Sequence, residues 1–423
     1  LWAGHSPAAR PKSMKRRIAC LLICVCLLLC MALPAGAQDE GAAFTDRGRI
    51  RNVGAVQMLV DLGLISGYDD GTFRPGNFIT REEVAKLVAI LCTENPQAPA
   101  DVYFYDAQNS WALGYIGYCA GQGIIAGDGM GSFRPKDNVT AQELAKMLLV
   151  ILGQDPASYT GAGWDERVNA DAQSFAIYYG LTAQVNQPVT RDNACLLIYN
   201  AMRCPAIADP DAEGPERYVL DDLMNPRSYL EVRYDLTRYT AVLTGNEYAD
   251  LTSNDGRLSA GVTKLAGHKE FAVSSDLSLL GREVDIYVKN GRVFGIPCYV
   301  TSELYYTFEN AQALSKLLSD GAFSMADDAL YYYNYNEAGS EVLSRSGTRL
   351  TVIDHNNDMQ FDTVLAVSCQ EAEVVRVSPL QVRVGQDVLD AEKYCMSDVF
   401  SEGEAVWYME IAGQGFVQPM HAN

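Results

Sequence analysis

An all-α repeat domain followed by a mostly β C-terminal region is the multidomain fold that this 423-residue sequence predicts. Three observations carry the prediction. Blocks of residues recur at an offset of 60 positions in the first half, as Phe104 does to Phe44. Inside each block, apolar residues return at helical spacing behind helix-capping signatures. Beyond a stretch rich in Pro, Gly and acid near residue 205, alternating β-branched and aromatic residues take over.

The N-terminus reads first as an export signal. Met14-Lys15-Arg16-Arg17 precedes an apolar run from Ile18 to Leu33 and then Pro34-Ala35-Gly36-Ala37. A basic start, a short hydrophobic stretch and an A-x-A end predict a secretory signal cleaved after Ala37, leaving no stable membrane span. Residues 1–13 are expected to lie upstream of the true start, so 1–37 form one discarded segment. Lys plus Arg number 33 and Asp plus Glu 53, a net charge of −20. Removing Arg10, Lys12, Lys15, Arg16 and Arg17 leaves 28 against 53, or −25. That balance argues against nucleic acid or an anionic membrane as a partner. Four His, with His5 in the leader, nearly exclude a site built from several His ligands. Seven Cys remain after cleavage, scattered and without a CxxC pair, so neither a disulfide framework nor a zinc site is implied.

The repeat blocks justify the helices in order. Phe44-x-Asp46 returns as Phe104-x-Asp106, Gly63-Leu64-Ile65 as Gly123-Ile124-Ile125, Phe73-Arg74-Pro75 as Phe133-Arg134-Pro135, and Thr80-x-x-Glu83 as Thr140-x-x-Glu143. In the first copy Val53, Val56, Leu59 and Val60 predict one helix, Asp69-Asp70-Gly71 a turn, and Val84, Leu87, Val88 and Leu91 a second helix opened by the Thr80–Glu83 capping box. A shortened third copy runs from Trp164 through Gly180-Leu181 to Thr190-Arg191-Asp192-Asn193, without the DGTFRP-type loop. The expected boundaries are 44–95, 104–155 and 160–204. No copy alone has enough apolar face to be stable, so the three are expected to share one core.

These blocks, in this order, resemble the S-layer homology domain, which usually occurs in three tandem copies. The resemblance covers about 160 residues (44–204). It implies a pseudo-threefold helical assembly with grooves between copies. It also implies secretion to the cell surface and non-covalent anchoring to an anionic, often pyruvylated, secondary cell-wall polysaccharide of Gram-positive type. The residues offer a physical rationale. Arg81 and Arg191 open their helices, where a cation opposes the helix dipole unless an anion or a neighbouring acid joins it. Copy two has Ala141 at that position. Trp111 and Trp164 stand where the family's Trp stands, as sugar-stacking faces or as helix core, while copy one has Arg51 there. Asp46 and Asp106 are expected to cap the first helices or to bond sugar hydroxyls, and Arg74 and Arg134 to act as outlying cations.

A linker is expected at 205–216, then a β-rich region of unassigned role at 217–423, built of small barrels or sandwiches. Its expected elements are strands within Leu230–Leu243, Glu283–Val293 and Ala405–Ile411, a turn at Lys289-Asn290-Gly291 and a helix at Ala311–Leu318. Asp354, Asn356, Asp358 and Asp362 have the spacing of calcium oxygen ligands, although Met359 replaces the usual Gly and no Glu follows at the twelfth position; a solvated turn is the alternative. Tyr305, Tyr306, Tyr331, Tyr332, Tyr333 and Tyr335 form either a stacking face or half-buried strand positions. No HExxH, GxSxG or phosphate-loop pattern is present, and no cofactor is expected. The expectation is a secreted, wall-anchored surface protein, open to self-association, whose second half is structural. The alternatives are an anchored wall-processing enzyme, or a scaffold whose repeats have lost wall binding.

Overall fold

The computed structural model describes residues 44–94, 96, 104–300 and 303–420. The export signal at 1–37 lies outside the described residues. Among them, no helix is long and apolar enough to cross a membrane.

The first half folds as paired helices. Copy one supplies α1 (Val53–Asp61) and α2 (Arg81–Cys92), and copy two α3 (Leu113–Gly121) and α4 (Ala141–Ile151). The third segment supplies α5 (Trp164–Ser174) and α6 (Arg191–Met202). Thr80 and Thr140 form complete capping boxes with Glu83 and Glu143, whereas Thr190 caps α6 through Asn193 alone. One hydrophobic core joins the three parts, with Leu59, Val84, Ile116, Leu144, Leu148, Val168 and Leu197 fully buried.

Short extended segments before α2, α4 and α6 tie the parts into a ring. The Ile79 N–H donates to Val189 O (3.2 Å), Val189 to Val139 O (2.8 Å), and Val139 to Ile79 O (3.1 Å). Each copy thus satisfies backbone groups of the next, which is why an isolated copy leaves them unpaired.

The Asp-Gly-x-Phe-Arg-Pro loop is held by Asp46. Its carboxylate accepts the N–H groups of Phe73 and Arg74, both at 2.8 Å, and Arg74 sits in the left-handed region at φ 56°. Asp106 treats Phe133 and Arg134 (φ 58°) identically. The expectation that these aspartates cap the first helices is corrected, because neither makes a side-chain cap bond. Their two oxygens instead fix a backbone bend that a non-glycine residue adopts at a cost. Gly67 and Gly127 are needed beside it: a Cβ there would stand 2.5 and 2.6 Å from the Phe44 and Phe104 rings.

The segment expected as a linker, 205–216, is followed by residues that fold back onto its start. Pro205 bridges Ser228, and the Val219 and Arg227 N–H groups donate to Ala206 and Val219 carbonyls, closing the segment on itself. Next comes α7 (Tyr229–Tyr234), where a strand was expected from Leu230. A capping box, Ser228 with Glu231, starts this helix and left-handed Asp235 ends it. Its Arg233 and Tyr229 side chains donate to Leu91 O at the end of α2, satisfying a helix C-terminal carbonyl.

Three sheets follow. The first comprises β1 (Thr237–Gly245), β2 (Thr263–Leu265), β3 (Glu270–Phe271), β4 (Glu283–Lys289) and β5 (Arg292–Tyr299), antiparallel in the order β3-β2-β1-β4-β5. Asn290 and Gly291, both at positive φ, make the β4–β5 turn as the Asn-Gly pair predicts. The second sheet has β6 (Leu304–Phe308), β7 (Ser324–Tyr333), β8 (Asn336–Ala338), β9 (Thr348–Asp354) and β10 (Gln360–Ser368), ordered β6-β9-β10-β7-β8. Helix α8 (Ala311–Ser319), expected at Ala311–Leu318, buries Leu314 against its core. The third sheet holds β11 (Gln370–Val377), β12 (Leu380–Val384), β13 (Asp387–Asp390), β14 (Glu392–Lys393), β15 (Ala405–Ile411) and β16 (Gln414–Pro419).

The first sheet is sandwiched, which explains why β4 is apolar on one face and mixed on the other. Val284 and Ile286 enter a core shared with Ile353 and Leu365 of the second sheet and Met409 and Phe416 of the third. On the opposite face Tyr287, Phe294, Ile296 and Cys298 meet the helical half. There Gly295 packs so closely on α1 that a Cβ would lie 2.8 Å from Met58, and its N–H donates to Asp61 (2.8 Å).

Tyr305, Tyr306, Tyr331, Tyr332 and Tyr333 are strand side chains rather than a stacking face, and Tyr335 lies in the β7–β8 turn. Tyr332 and Tyr335 are buried, and Tyr306, Tyr331 and Tyr333 pack around the second sheet's core. The loop proposed for calcium is the β9–β10 turn. Asp354 accepts the N–H groups of Asn357, Asp358 and Met359; Asp362 accepts that of His355; Asn356 donates to Asp358. These carboxylates face backbone amides, and among the described residues no group of three or more His, Cys, Asp or Glu is placed to hold a metal ion.

Candidate groove between the first two copies

A groove of about 390 Å³ opens between copies one and two. Its floor is the loop that follows α1 (Gly63 to Gly67) and the start of α2, which presents Glu83, Lys86 and Leu87; Trp111 comes from copy two and Arg191 from the third segment.

Arg191 reaches the groove because α6 begins where the ring brings it against copy one. Its Nε donates to Phe73 O (3.0 Å) and its Nη2 to Ser66 O (3.0 Å), and its guanidinium lies over the Tyr68 and Phe73 rings. The Nη1 is left with no hydrogen bond among the described residues. Lys86, half-buried one turn into α2, has no ion-pair partner there either. Glu83 is committed to Thr80 by the capping box. The groove therefore holds two cations facing one already engaged carboxylate.

Trp111 is 55% exposed, which removes it from the helix core. Its indole N–H donates to Glu82 Oε1 at 2.7 Å, and Ser110 and Lys136 bind the same carboxylate. Burial alone would raise the Glu82 pKa; the bonds from Lys136, Ser110 and Trp111 outweigh it and hold the carboxyl below its ordinary value. Glu82 thus fixes the indole edge while the ring stays accessible.

The backbone N–H groups at these helix starts are not free to meet an anion. The Arg81 and Glu82 N–H groups already donate to Asp137 O (2.9 Å) and Pro135 O (3.0 Å); those of Arg191 and Asp192 donate to Asn77 O (2.8 Å) and Pro75 O (3.2 Å). What neutralises a cation at these helix starts is the neighbouring copy's loop. Arg81 donates to Phe133 O (2.8 Å) and Ala126 O (3.1 Å), as Arg191 does to copy one, and its Nη1 meets Glu143 at 3.3 Å. Burial lowers the Arg81 pKa, with Glu143 opposing.

Arg81 belongs to a second, matching position between copy two and the third segment, with Glu143, Lys146 and Trp164. Here Lys146 stacks on Trp164, 5.6 Å from the ring centroid, and Trp164 is half-buried. Asp46 and Arg74 are absent from the first groove's lining. Arg74 pairs with Asp70 (2.7 Å) and Arg134 with Asp137 (3.5 Å) on exposed turns. The residues that sequence reasoning missed are Lys86 and Glu82. The offset of 60 that pairs Lys86 with Lys146 was a signal for the first.

Residues 43–85 and 103–145 match the S-layer homology domain family. The chain is 36% identical over 123 residues to an uncharacterized cell wall amidase of Bacillus anthracis, covering 29% of this chain and 22% of that protein. It is 23% identical over 362 residues to a cell surface protein of Thermoanaerobacter kivui, covering 82% of this chain and 44% of that one. It is 32% identical over 96 residues to S-layer protein EA1 of Bacillus anthracis, covering 23% and 11%. The chain spans less than half the length of each of these relatives.

Proposed function

We propose, for a secreted cell-surface chain that carries S-layer homology repeats, that the first groove anchors it non-covalently to an anionic cell-wall polysaccharide. The observation that carries this is the pairing of two unengaged cationic donors, Arg191 Nη1 and Lys86, with the exposed ring of Trp111. A carboxylate on a sugar, as in a pyruvate ketal, meets charge-assisted donors while the pyranose face lies on the indole. The three helical parts act as a pseudo-threefold ring whose closure builds this groove. Residues 217–423 serve as a structural module, and no reaction is assigned to them.

The net charge of −20 does not oppose an anionic ligand at contact. Screening acts over roughly 8 Å at physiological salt, so the local pair of cations governs the groove. The distributed acids predict slow association and specificity from the groove itself.

The test is sedimentation of the mature chain, residues 38–423, with Gram-positive walls before and after removal of their secondary polysaccharide. Binding is expected only to intact walls and to weaken about tenfold with Lys86→Ala. Equal binding to stripped walls would refute the reading.

A further inference from the structure

A larger cavity, about 540 Å³, lies where the helical half meets the first sheet. Ser174 to Tyr179 and Asn200 to Pro205 form one wall; Arg238 and Thr240 of β1 with Glu283 and Asp285 of β4 form the other. Its volume falls within the roughly 300–1,000 Å³ of small-molecule sites.

Its charges differ from those of the anchoring groove. Arg203 pairs with Asp285 at 3.1 Å, and Thr240 Oγ1 donates to the other oxygen of Asp285 at 2.6 Å. Arg238 lies 3.5 Å from Glu231. Glu283 has no side-chain partner among the described residues, and burial, together with Glu303, raises its pKa above the ordinary value. Two guanidinium groups and two carboxyl groups thus line the cavity, with no unpaired cation. Tyr179 is 49% exposed at its edge, and the Tyr299 hydroxyl meets it. On β4 the next residue on the same face, Tyr287, lies behind the cavity lining at 2% exposure, and its hydroxyl, near Arg203 and Asp285, has no hydrogen-bond partner among the described residues.

We propose that this cavity binds an uncharged, hydroxyl-rich ligand, a neutral sugar unit. Planar groups that each offer several donors or acceptors match vicinal hydroxyls, and an exposed tyrosine ring matches a pyranose face. A net-neutral lining gives an anion no advantage. The inference uses none of the anchoring residues and stands whether or not the first groove binds the wall polymer.

The test uses the mature full chain with chitotriose and cellotriose as neutral probes and glucuronate as a charged one, read by saturation-transfer NMR and calorimetry. Both or either neutral trisaccharide is expected to bind, with glucuronate at least about tenfold weaker. Tyr179→Ala, at an exposed position, should weaken binding about tenfold, and the isosteric Glu283→Gln should also weaken it. Lys86→Ala, in the other groove, should leave it unchanged. The proposal is overturned if neither trisaccharide gives saturation transfer at about 10 mM. It is equally overturned if binding persists unaltered in both cavity variants, or if Lys86→Ala removes it.

Discussion

Copies one and two build the same constellation twice, and the two results differ. In the first groove Arg191 keeps Nη1 free, Lys86 stands alone and Trp111 is open, its edge held by Glu82. In the second, Arg81 is tied to Glu143 and Lys146 rests on Trp164. The residue that replaces Glu82 there is Gln142, and Trp164 has no such carboxylate to hold its indole N–H. A third position has Ala141, Leu196 and Arg51 in place of arginine, lysine and tryptophan, and Leu196 packs 3.7 Å from where a Gly180 Cβ would lie. The arginine is present only where the copy it reaches has a long loop with carbonyls to receive it. Copy two faces the shortened third segment, where that loop is missing, and a buried guanidinium there would lack partners. The loss of Arg and the loss of the loop are one structural event.

The sharpest way to break this comparison is to remove each arginine separately. Arg191→Ala is expected to lower wall affinity by about 100-fold, from the loss of charge-assisted contacts worth roughly 1.5–3 kcal/mol. Both variants should destabilise the fold by a similar amount, Arg81→Ala through the orphaned Phe133 and Ala126 carbonyls and Arg191→Ala through those of Phe73 and Ser66, yet Arg81→Ala should shift affinity less than about threefold while folded. Calorimetric melting beside wall sedimentation separates the two, and equal affinity losses would erase the distinction between grooves.

Next in size, Lys86→Ala should cost about tenfold in wall affinity, and Lys146→Ala almost nothing. Trp111→Ala should cost about fivefold by titration with the solubilised polysaccharide, and Trp164→Ala less.

The pH response sharpens the account of Trp111. Glu82 has a folded pKa below its ordinary 4.5, so the stability it adds is complete above that value and is lost as pH falls through the depressed one. Tryptophan fluorescence should therefore hold steady above pH 4.5 and change below it. Glu82→Gln should abolish that transition. The smallest effect is expected from Leu196→Lys: with Arg51 and Ala141 unchanged, calorimetry should show no added binding site.

Much of the helical half was legible because its determinants are local. Thr80 with Glu83, Thr140 with Glu143 and the apolar spacing of α1 and α2 need only a few neighbouring residues to be read. The capping box Ser228–Glu231 is equally local, but the alternation that follows it masked α7 as strand. The arginines were visible as anomalies at helix starts, while their partners, Phe133, Ala126, Phe73 and Ser66, lie 45 to 125 residues away in sequence and become neighbours only when the ring closes. A separation of 29 residues likewise hid Glu82 behind Trp111. Asp46 was misassigned because its true ligands, the N–H groups of Phe73 and Arg74, are backbone atoms that no side-chain pattern records.

The ring of hydrogen bonds through Ile79, Val139 and Val189 has a consequence for a chain exported N-terminus first. Copy one cannot finish its own groove, since the arginine that completes it is residue 191, more than a hundred positions behind Ile79. Contacts of such long range form late. On the proposed anchoring, the groove would thereby be a check on its own synthesis: a polypeptide cut short before the third segment has emerged would present two copies without Arg191. Retention would then be conferred only on molecules whose entire helical half has arrived.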